Sequence, residues 1–326
     1  MRLTRREYLL LCGGGIAAAA ARDLAHQWHE IARGTDGVVG AAALHLGSGA
    51  RLSMNGGDRF PLASVCKLPM AMHMLALVDE GKLEIEESIE VLPRDVWSGV
   101  SEIEQHWPAR RSYPLRELIE LAVSKSDNTA EETLYRIGGR GMAFTTRLRQ
   151  WKIDGLRIDR SERQCELDRN GVQNYPAASQ WTDARVRGLI AKTPESVRQA
   201  AIRNSLADSR DTGTPDATVL LLARLFRGEL LSTASTTRLI AILQGTTTFP
   251  TRIKGMLPPG TVVAHKTGSI GVTGFAIATN DSGVIFLPNG GLLAVSVYVK
   301  GSTRSDAERD QVIACIARAA FDRWRG

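Results

Sequence analysis

Strand-like patterns stand near both ends of this chain and helical ones fill the middle, an order that narrows the fold more than any other feature. Residues 38–46 form a β-type run, and Gly47-Ser48-Gly49 turns it into a second strand near 51–54. Strand patterns return only at 262–265, 275–279, 283–286 and 292–299. Helical spacing marks 23–33, 64–79, 115–123, 129–137, 143–150, 218–226, 235–243 and 306–324. Two further helices are expected from their starts: Thr182-Asp183 can cap 184–191, and Thr193-Pro194-Glu195 opens 196–203. The expected fold is mixed α+β. Both termini build an antiparallel sheet flanked by helices, and an all-α domain is inserted. The expected division is 23–62 and 218–326 as the two parts of the α/β domain. Residues 63–217 form the all-α domain, with an extended loop insertion at 167–208.

The 326 residues are 43% apolar and 23% charged, ordinary for a globular chain large enough to bury a substantial core. A net charge of +6 is mild, and no basic stripe interleaved with aromatics is present, so nucleic acid is not an expected partner.

Residues 1–22 look like an address rather than structure. Thr4-Arg5-Arg6-Glu7-Tyr8-Leu9-Leu10 is a twin-arginine pattern, followed by an apolar, small-residue stretch at 11–21 too short to span a bilayer. The expectation is a bacterial exported protein, periplasmic or secreted, with no stable membrane association once the leader is removed. Cys66, Cys165 and Cys315 then remain. Being odd in number they allow at most one bridge, and buried, inert thiols are expected at Cys66 and Cys315. None has metal-ligand spacing, and no metal or cofactor is implied.

Three short motifs carry chemistry: Ser64-Val65-Cys66-Lys67, Ser126-Asp127-Asn128 and Lys266-Thr267-Gly268. A serine and a lysine three apart on a helix share a face, so the amine can serve the hydroxyl as base or orient one. A serine at a helix start also lies near free backbone N–H groups that stabilise developing charge. In an extended segment Ser126 and Asn128 would point into one cleft, one to relay a proton and one to bind a carbonyl. Lys266 brings positive charge to an anionic substrate, and Gly268 lets a ligand lie against the backbone.

This set of motifs, in this order, resembles the class A β-lactamases and penicillin-binding proteins. The resemblance runs from about Val38 to Ala319, including Arg59-Phe60-Pro61 and the stretch from Thr279-Asn280-Asp281 to Pro288. It implies a cleft between the sheet domain and the helical domain. It implies Ser64 as the acylated nucleophile, Lys67 as its activating partner and Ser126 as proton shuttle. Asn128, Thr267, Gly268 and Ser269 would hold substrate beside Lys266, and the N–H groups of Ser64 and Ser269 would form an oxyanion hole. Trp97 would stand at the cleft mouth.

Asp159-Arg160-Ser161-Glu162 resembles the start of the loop that bears the deacylating glutamate in class A enzymes, and Arg210-Asp211-Thr212-Gly213-Thr214-Pro215 its close. Glu162 is then the base, with Arg160 and Asp211 the ion pair that ties the loop. Two positions depart from the family: Glu166 stands where an asparagine is usual, and Arg163 where proline is common. Asn170 or Asn174 would be substitutes for that asparagine. His265 is expected to be structural. The activity implied is hydrolysis of a β-lactam through a serine acyl-enzyme released by glutamate-activated water. Two alternatives stay open: a D-alanyl-D-alanine peptidase of the same fold, and a non-hydrolytic β-lactam sensor or binding module. An apolar exposed face on the insertion would favour the last.

Overall fold

The computed structural model describes residues 24–326; the expected leader lies outside them. A first helix, α1 (24–32), leads into the hairpin β1 (Val38–His45) and β2 (Arg51–Met54). Then come β3 (Phe60–Pro61), a 3₁₀ turn (Ala63–Cys66) and α2 (Lys67–Asp79). The helical region continues through the small pair β4 (Ser88–Glu90) and β5 (Ser112–Pro114), with α3 (Glu102–His106) between them. After it lie α4 (Leu115–Glu120), α5 (Asn128–Ile137), α6 (Gly141–Gln150), α7 (Glu162–Arg169), α8 (Asp183–Lys192) and α9 (Glu195–Ser205). β6 (Thr212–Gly213), α10 (Pro215–Phe226) and α11 (Thr233–Gln244) precede three long strands, β7 (Val263–Val272), β8 (Phe275–Phe286) and β9 (Leu292–Ser302). The helix α12 (Asp306–Trp324) closes the chain behind a capping box of Ser305 and Glu308.

The main sheet is antiparallel in the order β2-β1-β9-β8-β7, so the first strands lie beside the last. Both of its faces are covered, and the two-residue period sorts side chains between two cores. Val39, Ala41, Ala43, Leu293, Val295, Val297 and Val299 face α1 and α12. Ala42, Ala294 and Tyr298 face the opposite way, toward α2 and α10. Burial on both faces explains why these strands read as apolar runs rather than as alternating patterns.

Two strands differ from the sequence expectation. β7 does not stop at His265 but runs through Lys266-Thr267-Gly268, and β8 is unbroken where two short strands were expected. No strand is expected over Asn280, Asp281 and Ser282, but β7 and β9 pair them on both sides and their side chains find buried partners. The stretch 167–208 carries α8 and α9 and a small core of Leu167, Val172, Trp181 and Val186. Cys66, Cys165 and Cys315 are all free thiols, and Cys165 is the most buried of them; Cys66 and Cys315 are only partly so, contrary to expectation.

Candidate active site

The 3₁₀ turn places the first motif. Residues three apart nearly eclipse in such a turn, so Ser64 and Lys67 share a face across its junction with α2. Ser64 is half-buried and lines a cleft of 220 Å³, together with Ser126, Asn128, Glu162, Thr267, Gly268 and Ser269. Strand β7 passes very close to this turn. A Cβ on Gly268 would stand 2.9 Å from both the Ser64 nitrogen and the Leu62 carbonyl, so only glycine permits the approach.

The second motif is not an extended segment. A π-helical turn (Leu121–Lys125) follows α4 and ends on Ser126 at φ 60°, ψ 29°. This left-handed conformation is unfavourable for serine by about 1–3 kcal/mol. Asp127 redirects the chain: its carboxylate caps α5 through Ala130 N–H and accepts the Glu102 and Ile103 N–H groups at 2.6 and 3.1 Å. Asn128 is thereby the first residue of α5, and its side chain enters the cleft from a helix end.

Two lysines meet at the Ser126 hydroxyl. Lys67 Nζ lies 3.3 Å from Oγ and donates to the Ser126 carbonyl and to Asn128 Oδ1, both at 2.6 Å. Lys266 Nζ donates to the same hydroxyl at 3.0 Å and to the Thr267 carbonyl at 2.8 Å. Burial, and then the neighbouring Lys67 charge, push the Lys266 amine down to about 7. A hydroxyl bracketed by two amines can pass a proton in either direction.

Glu162 is the first residue of α7, whose N-cap is Ser161. Its Oε1 accepts from Arg169 Nη2 at 2.7 Å, and it borders both the Ser64 cleft and a 260 Å³ cavity beneath the loop. The neck of the loop is closed by Asp211. One carboxylate oxygen accepts from the Asp159 and Arg160 N–H groups at 2.7 and 2.9 Å, and the other takes Arg160 Nε at 2.6 Å. The Asp211 carbonyl in turn accepts from Leu62 N–H at 3.0 Å, which fastens the neck to the turn that bears Ser64.

Several residues stand elsewhere than expected. Trp97 does not line the cleft: the fully buried Arg163 guanidinium lies 4.8 Å over its ring, and its backbone N–H donates to Thr129 Oγ1. Val100 and Phe249, both exposed, form the rim instead. Asn170 donates to the Glu166 carbonyl at 2.8 Å and Asn174 is exposed at the surface, so neither reaches the cleft. Burial raises the Glu166 carboxyl above its ordinary range. His265 Nδ1 is bonded to Asp281 at 2.9 Å, both side chains being fully buried.

Sequence reasoning missed Glu131, which is paired with Lys67 and lies three residues beyond Asn128 on the same helix. That spacing was a usable signal. It also missed Arg252, which donates to the Gly268 carbonyl at 3.1 Å and to Ser269 Oγ at 2.7 Å while held by Asp310 at 2.8 Å. No local pattern announces Arg252. Among the described residues no group of three His, Cys, Asp or Glu side chains is arranged to hold a metal ion.

The geometry has counterparts in known proteins. Residues 23–324 match the model of the family described as the beta-lactamase enzyme family. The extended-spectrum β-lactamase PER-1 of Pseudomonas aeruginosa is 31% identical over 91% of this chain and 86% of its own length. The β-lactamase VEB-1 of the same organism is 29% identical over 87% of this chain and 84% of its own length. Among solved structures, a β-lactamase from Chitinophaga pinensis superposes with a TM-score of 0.76 at 31% identity, over 92% of this chain and 98% of its own. The TLA-1 extended-spectrum β-lactamase gives 0.78 at 26% identity, over 94% and 100%.

Proposed function

On the premise that the chain belongs to the class A β-lactamases, we propose that it opens β-lactam rings through an acyl-enzyme on Ser64 that water then releases. The observation that carries this reading is the Ser126 hydroxyl held between the Lys67 and Lys266 amines, beside Ser64 and Glu162 in one cleft.

In acylation Ser64 Oγ bonds to the lactam carbonyl carbon, its proton passing to Lys67 or, through water, to Glu162. The oxyanion meets the N–H groups of Ser64 and Ser269. As the C–N bond breaks, Ser126 hands its proton to the ring nitrogen and is resupplied by a neighbouring amine. Glu162 then takes a proton from water, whose oxygen attacks the ester carbonyl, and Ser64 leaves with a proton restored. The substrate carboxylate is received by Lys266, Thr267 and Ser269, with Asn128 on the amide side. Arg160 and Asp211 hold the Glu162 segment in place. The same reading takes 1–22 as a twin-arginine-type leader, so that the enzyme works outside the cytoplasm. It takes the helices of 63–217 as a domain inserted between the two parts of the α/β domain, 23–62 and 218–326.

The outer surface of the insertion is polar; among its described residues Val197 is the single exposed large hydrophobic side chain. That counts against a partner-binding sensor. The deciding experiment follows intact mass after mixing the leader-free protein with a penicillin, with product assayed in parallel. Product far exceeding enzyme with no lasting adduct is expected, and Ser64→Ala should form no adduct. A one-to-one adduct lasting hours would replace the hydrolase with the peptidase or the sensor. An adduct that persists in Ser64→Ala would remove Ser64 from the mechanism.

A further inference from the structure

The Lys67 amine is fully enclosed, and its ionic partner is not Glu162. Glu131 Oε2 lies 3.1 Å from Lys67 Nζ, with the side chains 5% and 0% exposed. The other Glu131 oxygen accepts from Cys66 Sγ at 3.5 Å. With the Ser126 carbonyl and Asn128 Oδ1 at 2.6 Å, Glu131 completes a set of three near acceptors for the three donors of an ammonium. Glu162 has its own cation, Arg169 at 2.7 Å. A buried carboxylate, Glu131, and a half-buried one, Glu162, therefore border one cavity with separate partners.

Local structure favours a carboxylate here. Glu131 sits in the first turn of α5, where the positive end of the helix dipole suits an anion. The three-residue spacing from Asn128 brings both side chains to one amine. Without Glu131, the described structure would leave the Lys67 amine buried beside the Lys266 amine with no adjoining countercharge, which is costly.

We propose that Glu131 is a positioning residue for acylation: it holds the Lys67 amine against Ser126 and balances the charge that amine gains on taking the Ser64 proton, so that Lys67 rather than Glu162 is the base of that step. This rests on Ser64 being the acylated nucleophile. Glu131 does not line the Ser64 cleft, and acts through Lys67. Over acylation it gains and loses no proton, since the Ser64 proton ends on the ring nitrogen.

The test compares the leader-free parent with Glu131→Gln, Glu131→Asp and Glu162→Gln, using a chromogenic cephalosporin for turnover and rapid-quench intact mass with a penicillin to separate the two steps. Glu131→Gln is expected to slow acylation by about 100-fold, the scale of an ångström-sized misplacement, while the acyl-enzyme decays at the parent rate. Glu131→Asp should recover part of the loss. Glu162→Gln should do the reverse, acylating readily and accumulating adduct. Acylation of Glu131→Gln at the parent rate would overturn the inference. So would equal loss of both steps with a matching fall in melting temperature, which is the mark of a structural residue. A Glu162→Gln variant that forms no adduct on Ser64 would overturn the mechanism itself, and the inference with it.

Discussion

Replacing Asp211 by alanine tests whether the neck of the loop sets the catalytic geometry. The carboxylate accepts the Asp159 and Arg160 N–H groups at 2.7 and 2.9 Å, each bond to a charged acceptor being worth about 1.5 kcal/mol. It also takes Arg160 Nε at 2.6 Å, but that guanidinium keeps Asp168 at 2.6 Å and Asp208 at 3.2 Å, so its share of the loss is small. Alanine must further adopt φ 52°, and water entering this half-buried site offsets part of the total. The net cost is about 3–4 kcal/mol, which lowers Tm by about 5–6 °C in a protein of this size. Glu162 lies two residues past Arg160, so acyl-enzyme release should slow by about 100-fold. Asp211→Asn keeps the oxygen for both N–H groups and suits the left-handed conformation, so about 1 kcal/mol is expected from it. Calorimetric melting and acyl-enzyme lifetime measure both effects. An alanine variant that melts within 1 °C of the parent, or one that releases product normally, would refute the argument.

Three further outcomes follow from single sites. The Lys266 amine, at about 7, loses its charge as pH rises through that value, so KM for a carboxylate-bearing substrate should climb between pH 6 and 9. Lys266→Arg keeps its charge and should flatten the KM profile; an unchanged slope would show that another group sets it. Burial pushes the Glu132 carboxyl from 4.5 up to about 8, so the folded state holds the extra proton between those values. The stability it contributes below about pH 4.5 is then lost as pH rises through 8, and urea titrations of Glu132→Gln should show that slope removed. Gly268→Ala should force β7 off the turn that bears Ser64 and cost about 1–3 kcal/mol, with a slower acylation burst on rapid mixing; a parent-like burst would mean that the turn yields freely.

The motif residues were legible because each lies in a short pattern whose physics is local. Ser64 with Lys67 needs only a helical turn; the pairing of Arg160 with Asp211, 51 positions apart, came from the family resemblance and not from local spacing. Glu131 could have been found by extending the same spacing one turn along α5. Arg252 could not, since its carbonyl acceptors on β7 and β8 come together only when those strands pair. The left-handed Ser126 was hidden for a related reason: serine does not favour that conformation, and tertiary packing imposes it. Trp97 was placed at the cleft mouth by analogy with its segment, but the buried Arg163 holds it away from the opening.

The pairing of β1 with β9 sets a clock on the making of this protein. Val38 finds its partner Lys300 only after about 260 further residues have been synthesised, which takes about 13–50 s at ordinary ribosomal speed. Throughout that interval one edge of the β1–β2 hairpin lies open, and the Val39, Ala41 and Ala43 row has no α12 to cover it. A lone hairpin is at best marginally stable in water, and an open edge invites pairing with other chains. The nascent N-terminal segment therefore stays open to mispairing until the last strand arrives, and shielding it on the ribosome should raise the yield of folded enzyme without changing its finished stability.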